Sequence, residues 1–438
     1  MILMKTMLLL AVLVLGSAQL CSAAGFVKVK DSHFMRDGKP YYFIGANFWQ
    51  GMNLGSKGPG GNRALLVREL LRLKAMGVTN LRIMAASEGP DTEPWRMVPA
   101  LQKKPGSYNK ELFDGLDYFI SELGQLGMTA VVTLNNFWPW SGGMAQYVSW
   151  RGGGKIPYPP PAEGGDWGTY QKYAAQFYSN KEAVGDYRSF IKKLIKRKNP
   201  YTKRFYRDEP AIMAWELANE PRGSDNTVHF NAWIADTAAY IKALDKNHLV
   251  TTGSEGETPY PEAGMDFTKN HTIPGIDYST LHIWAANWNW YDPLKKEETY
   301  PAALEKMKEY LKAHVDKAAA FGKPVVLEEF GLGRDAGSYD PKSAVSVRDE
   351  YFAAVFEEAY TSAMAGSPLA GAAFWAWAGE SRPPRPGEPW KAGDPWLGDP
   401  PHEFQGWYSV YDGDTTTVKV IADYAAKFSA IALTEEYK

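Results

Sequence analysis

The 438-residue chain has a single cysteine, Cys21. It lies in an N-terminal segment with Lys5, an apolar run over 7–15, and small residues at Ser22, Ala23 and Ala24. That order of charge, apolar run and small residues predicts a signal peptide over 1–24 and a secreted protein. The remaining chain, 25–438, would carry no thiol, which excludes a disulfide framework and thiolate metal sites and leaves stability to the core. No later run approaches the ~20 apolar residues of a membrane span. Neither sign of charge is in excess: 48 Lys and Arg against 50 Asp and Glu leave a net charge of −2. That balance argues against nucleic acid or an anionic membrane as partner. The basic stretch from Lys192 to Arg207 has the period of a solvated helix face. Several motifs are also missing. There is no His-Glu-x-x-His, Gly253-Ser254-Glu255-Gly256 lacks nucleophile-elbow spacing, and the glycine runs at 58–61 and 152–154 lack a phosphate-loop setting.

What is abundant is aromatic: 14% of residues, with 16 Trp and 25 Tyr. Core packing absorbs many of them, but flat indoles also stack on the apolar faces of sugar rings. The chain alternates short apolar runs with longer helical-period segments. Strands are expected over 42–47, 80–85, 129–135, 212–219, 249–253, 278–284, 324–329 and 372–377. Helical patterns include 64–76, 112–126, 181–198, 228–244, 302–321, 346–364 and 416–428. About eight strand–helix units predict a single α/β domain, a (β/α)₈ TIM barrel with a parallel sheet. Asp37-Gly38 between alternating runs predicts a small hairpin ahead of it. Long insertions at 137–178 and 379–406, rich in Trp, Gly and Pro, follow the third and eighth strands and are expected on the catalytic rim. Asn270-His271-Thr272 is a glycosylation sequon.

The fourth strand ends in Asn219-Glu220-Pro221 and the seventh in Glu328-Glu329-Phe330-Gly331. Two carboxyl groups facing each other across a cleft are what glycosidic bond cleavage requires, one to protonate the leaving oxygen and one to act ionised. Adjacent strand residues point to opposite faces, so only one of Glu328 and Glu329 should face the substrate. Glu216, an acid inside a strand, has no partner that the sequence can name.

Trp-Glu-Leu-Ala-Asn-Glu-Pro-Arg (215–222), Glu-Phe-Gly (329–331), His-Ile-Trp (282–284) and Phe-Trp-Ala-Trp (374–377) together resemble glycoside hydrolase family 5. Asn-Glu-Pro-Arg, the continuation to Asn287-Trp288 and the loop from Gly379-Glu380 to Gly398-Asp-Pro-Pro are similar to its endo-β-1,4-mannanases. The resemblance implies a retaining (β/α)₈ hydrolase of β-mannan, without metal or cofactor, acting as a monomer. It implies Glu220 as acid/base and Glu329 as nucleophile. Arg82 would bond the nucleophile, Asn219 the sugar 2-hydroxyl, and His282 would stand near the acid/base. Trp375 would form the platform under the scissile sugar, and Arg222 would face the leaving-group side. Asn136 is expected as a polar contact at the rim. Trp284 replaces a tyrosine common in the family, which removes a hydroxyl contact to the nucleophile. Trp138, Trp140, Trp288, Trp290, Trp390 and Trp396 are candidate platforms by loop position, and Trp377 is expected to pack. The alternatives are the same machinery acting on β-1,4-glucan, or a non-catalytic carbohydrate-binding barrel.

Overall fold

The structure, a computed structural model, describes residues 25–434. The expected signal peptide and Cys21 lie outside the described residues. Eight strands form one all-parallel sheet: β1 (Phe43–Asn47), β2 (Asn80–Met84), β3 (Thr129–Thr133), β4 (Ile212–Glu216), β5 (Leu249–Thr251), β6 (Ser279–Ile283), β7 (Val325–Phe330) and β8 (Leu369–Phe374). Every residue in them is buried, as a sheet covered on one face by helices and curled around its own core requires. The hydrogen-bonded order is β5-β4-β3-β2-β1-β8-β7-β6. The seam between β5 and β6 is joined by separate bonds: the Asp277 amide donates to Val250 O (2.8 Å), Thr251 Oγ1 to Tyr278 O (3.0 Å), and the His282 amide to Glu255 O (3.0 Å).

Helices follow the strands: α1 (Arg63–Ala75), α2 (Lys110–Gln125), α3 (Lys181–Ile195), α4 (Thr227–Leu244), α5 (Phe267–Thr272), α6 (Lys296–Phe321), α7 (Ser346–Met364) and α8 (Thr415–Thr434). Their starts match their chemistry. Asn62, Asn109, Asn180 and Asp266 each accept a backbone N–H of the first turn, satisfying donors that the helix itself leaves free. Lys192, Lys193 and Lys196 are exposed, confirming a solvated face for the basic stretch. Asn270 is buried in α5 with its amide donating to Asn231, so the sequon offers no accessible acceptor.

Two expectations differ from the structure. The single N-terminal hairpin is a three-stranded meander (Lys28–Lys30, His33–Arg36, Lys39–Pro40), because Asp31 and Ser32 take positive φ and make a second tight turn without glycine. The meander closes the lower mouth of the barrel. Phe34 packs edge-on against Tyr278 at 5.2 Å, within a cluster that includes Phe43, Val131, Met213 and Val326. The eighth strand begins at Leu369, not 372, and Trp377 pairs instead with Val410 in a separate two-stranded ribbon. With the lower mouth sealed, a site can open only at the C-terminal rim.

Candidate active site

The rim opens into a cleft of about 650 Å³ lined by Glu220, Glu329, Asn219 and the indoles of Trp138, Trp140, Trp284, Trp288 and Trp375. Glu220 sits just past β4 with φ 48, a left-handed conformation unusual for glutamate. Its amide donates to Gly253 O at 2.9 Å, which helps to hold the turn. Gly253 must itself be glycine: φ is 77, and a Cβ there would lie 2.0 Å from Ala218 O and 2.5 Å from Glu216 Oε1.

Two indole N–H groups and a His282 ring nitrogen converge on the Glu220 carboxyl. His282 Nδ1 lies 2.6 Å from Oε1, Trp284 Nε1 donates to the same oxygen at 3.1 Å, and Trp138 Nε1 donates to Oε2. Glu329 meets a cation instead, since Arg82 Nη1 donates to its Oε1. His282 Nδ1 also stands 3.3 Å from Glu329 Oε2. One oxygen of each carboxyl and a His282 ring nitrogen lie within 4.8 Å of one another. Such a trio is a possible cation site, but its atoms are already engaged with one another and with Arg82 and the two indoles.

Arg82 is the hub. Its Nε and Nη2 fork onto Glu216 at 2.8 and 2.6 Å, its Nη2 reaches Asn219 Oδ1 at 2.8 Å, and its Nη1 reaches Asn47 Oδ1 at 3.2 Å as well as Glu329. Burial alone would lower its pKa, but Glu216 and Glu329 overcome that and hold it well above its ordinary value. Glu216, unexplained in the sequence, is thus the anchor of the cation that stands behind Glu329. Burial pushes Glu329 well above the usual carboxylate range, Arg82 opposes the rise, and Glu220 adds to it. Burial, with Arg82 second, holds the His282 imidazole far below its ordinary pKa, so it is neutral.

The nine sequence-predicted residues fall into two layers. Glu220, Glu329, Asn219, Arg222, Trp284 and Trp375 line the cleft; Arg82, His282 and Asn136 stand behind it. Asn136 is fully buried, which corrects its placement at the rim. Its Oδ1 accepts from the Asn219 amide (3.1 Å) and the Trp138 backbone (3.0 Å), so it orients residues that do face the cleft. Arg222 reaches the cleft with its fork occupied by Glu255 at 2.7 and 2.9 Å and by Gln171 at 3.0 Å. Its guanidinium lies 4.9 Å over Trp138, so it braces the indole that holds Glu220. Trp284, with no hydroxyl to offer Glu329, bonds Glu220 instead.

Among the platform candidates, Trp390 and Trp396 stack on each other (4.6 Å, 16°) away from the cleft, and Trp290 packs on Trp288. Trp377 packs as expected, donating to Glu69 at 2.9 Å. Only Glu329 of the two neighbouring acids lines the cleft, as expected, but alternation along the strand is not the reason. A bulge between β6 and β7 pairs Leu281 with Leu327 but His282 with Glu329, leaving Glu328 extra. Both neighbouring acids therefore turn inward, Glu328 beside Tyr278 and Arg82, Glu329 into the cleft.

Sequence reasoning missed the loop residues His402, Glu403, Trp407, Trp167, Tyr260 and Glu255. Trp167, from the insertion after β3, meets His402, from the insertion after β8, edge-on at 6.2 Å, so the two insertions touch across the cleft. Glu403 lines the cleft with Oε2 buried and without a hydrogen-bond partner. Burial, then the charges of Asp399 and Glu220, push its carboxyl well up. Clusters of Trp, Gly and Pro marked both insertions, but nothing in their spacing singled out these side chains, and Glu255 and Tyr260 lie outside both, after β5.

Comparison with known proteins agrees with this geometry. Residues 24–432 match the family model described as GH family 5 beta-mannosidase-like. Mannan endo-1,4-beta-mannosidase 7 of Arabidopsis thaliana is 33% identical over 368 residues, covering 81% of this chain and 78% of that protein. Mannan endo-1,4-beta-mannosidase 1 of Oryza sativa subsp. japonica is 33% identical over 380 residues, covering 82% and 80%. Among solved structures, the glycoside hydrolase family 5 mannosidase of Rhizomucor miehei superposes with a TM-score of 0.86 at 39% identity, covering 94% of this chain and 99% of that one. The endo-1,4-beta-mannanase of the same fungus gives 0.67 at 25% identity, covering 92% and 100%. With its barrel, its paired rim carboxyls and this match over nearly the whole described chain, the protein belongs to glycoside hydrolase family 5.

Proposed function

We propose that this is a secreted hydrolase of β-1,4-mannosidic bonds that acts with retention, Glu329 serving as nucleophile and Glu220 as acid/base. The observation that carries the reading is the approach of the two carboxyls, within 4.8 Å of each other oxygen to oxygen, at the floor of an indole-lined cleft. Retaining pairs sit about 5–5.5 Å apart, because the nucleophile must reach the anomeric carbon directly; inverting pairs are about 6.5–9.5 Å apart to admit a water.

In the first step Glu329 attacks the anomeric carbon to form a glycosyl ester while Glu220 gives its proton to the departing glycosidic oxygen. In the second, Glu220 takes a proton from water, whose oxygen attacks the same carbon and frees Glu329. Two carboxyls this close and this buried resist ionising together, and the one beside a fixed cation is favoured as the anion. Arg82 marks Glu329 for that part. Asn219, its carbonyl fixed by Arg82 and its amide by Asn136, presents a pre-set polar group for the sugar 2-hydroxyl.

Activity along the interior of a mannan chain is supported by the curated relatives, which are named mannan endo-1,4-beta-mannosidases. A second reading, attack near the end of short mannan chains, is favoured by two observations. The higher structural likeness is to the Rhizomucor mannosidase, and Trp167 and His402 meet across the cleft. Incubation with galactomannan, mannohexaose and carboxymethylcellulose separates these. Interior cleavage drops galactomannan viscosity early, end cleavage releases small sugars at nearly constant viscosity, and action on carboxymethylcellulose alone overturns the mannan reading.

Secretion rests on the leader pattern at 1–24, with mass determination of the mature N-terminus as its test. Among the described residues no helix is long and apolar enough to cross a membrane. We take the working unit to be a monomer, since the cleft is built from one chain; light scattering tests this.

A further inference from the structure

Outside the two cleft carboxyls, the barrel holds a pair of polar atoms that face each other unsatisfied. His282 Nε2 and Glu328 Oε2 are both buried, neither has a hydrogen-bond partner, and they stand 3.9 Å apart. That is too long for a hydrogen bond, but a shift of about 1 Å closes it, and such bonds in resting active sites commonly tighten when substrate binds. We propose that Glu328 is a positioning residue. In its neutral form it donates its carboxyl proton to His282 Nε2, fixing the tautomer in which Nδ1–H points at Glu220.

The surroundings favour this arrangement from both ends. His282 Nδ1 has carboxyl oxygens at 2.6 and 3.3 Å, the second belonging to the group that Arg82 keeps company, so Nδ1 is the natural donor. A neutral imidazole with its proton on Nδ1 presents a lone pair at Nε2, which needs a donor. The groups facing Glu328 are Arg82 (Nε at 3.8 Å), the Glu216 carboxylate, the Tyr278 hydroxyl (3.4 Å), His282 and its neighbour Glu329. Burial, followed by the Glu216 charge, pushes the Glu328 carboxyl well up, against Arg82. Glu216 also faces the Glu328 carboxyl within hydrogen-bond reach and is the rival acceptor for its proton, but its oxygens already accept two bonds from Arg82 and one from Thr133. His282 Nε2 has none. The chain Glu328–His282–Glu220 thus joins the end of β7 to the acid/base through a ring whose orientation β6 sets.

The inference rests on Glu220 as the acid/base, so its test has a readout that needs no turnover. Nitrogen NMR of histidine-labelled full-length protein, with His282 assigned by comparison with His282→Asn, should show Nδ1 protonated and Nε2 with a lone pair at neutral pH. In Glu328→Leu the ring should lose that preference. A protonated Nε2 in the unaltered protein, or an unchanged ring in Glu328→Leu, overturns the proposal. In kinetics, Glu328→Leu should lower kcat roughly ten-fold with KM little changed. Glu328→Gln, whose amide can still donate, should recover most of kcat. If Glu328→Gln is as impaired as Glu328→Leu, donation is not its role. If the ring shows the expected tautomer but the unaltered protein hydrolyses no mannan, the functional reading fails and the positioning geometry stands.

Discussion

Along β7, Val326 belongs to the apolar floor of the barrel, in a cluster with Phe34, Phe43, Val131 and Met213. Two and three residues further, Glu328 and Glu329 stand among Arg82, Glu216 and His282. The same change happens on other strands: from Met213 to Glu216 on β4, from Phe43 to Asn47 on β1. The lower half of the interior is closed by the N-terminal meander and needs only shape and apolarity. The upper half buries a cation and several acids, which is expensive unless each is paired and hydrogen-bonded. Both halves hang on one set of strands, so the floor supplies the rigid frame and the upper layer turns it into a site. If that division holds, substitutions in the two halves should be separable by measurement.

The largest effect should come from Glu329→Ala, which removes the proposed nucleophile: a loss of mannan hydrolysis of about 10⁴-fold or more, with the thermal midpoint little changed. Equal loss of folding would blur the contrast between the halves. Arg82→Met should abolish most activity and also destabilise by roughly 3–5 kcal/mol, because Glu216 and Glu329 are left buried without their cation. Phe34→Ala, in the floor, should cost about 3–5 kcal/mol by opening a cavity, while kcat of the folded enzyme at low temperature stays near the original. A large fall in kcat there would contradict the separation of floor and site.

Glu403→Gln, at the touching insertions, should raise KM several-fold with a smaller change in kcat, since a hydrogen bond from a neutral carboxyl to a sugar hydroxyl is worth about 0.5–1.5 kcal/mol. Unchanged kinetics would remove Glu403 from the binding surface. The last effect concerns the rim's own foundation and is read on stability rather than on activity. Burial pushes Glu88 up to about 8, against a bond from the Gly143 amide that ties the insertion after β3 to the loop after β2. A buried acid raised in this way stabilises the fold below its unfolded pKa, and that contribution declines as pH rises, being gone above about 8. Glu88→Gln should therefore flatten the fall in thermal midpoint between pH 5 and 8.5. An unchanged slope would mean that Glu88 does not titrate there.

How far the sequence reached depends on what set each feature. Glu220 and Glu329 were legible because each ends an apolar run, and strand ends at one rim converge in a barrel. Strand β8 was placed late because Leu369-Ala-Gly-Ala-Ala is small and weakly patterned, while the indoles beyond it drew attention. The inward turn of Glu328 depends on a bulge, which alternation along one strand cannot reveal. Glu216 needed a partner 134 positions away. Trp138 was recognised as a rim indole, yet whether its face or its N–H serves the site is decided by Arg222 and Glu220, from another loop. Glu403 and Glu255 lie on segments without any period, where contacts are set by packing between loops.

The central claim is that Glu220 and Glu329 face one sugar at a distance suited to direct attack. Proton NMR of a mannooligosaccharide digest, followed from the first seconds, reads the anomeric form of the new reducing end before it mutarotates. The account predicts that the β-anomer appears first and the α-anomer grows in later. Initial release of the α-anomer would mean inversion, and would contradict the assignment of Glu329 as nucleophile.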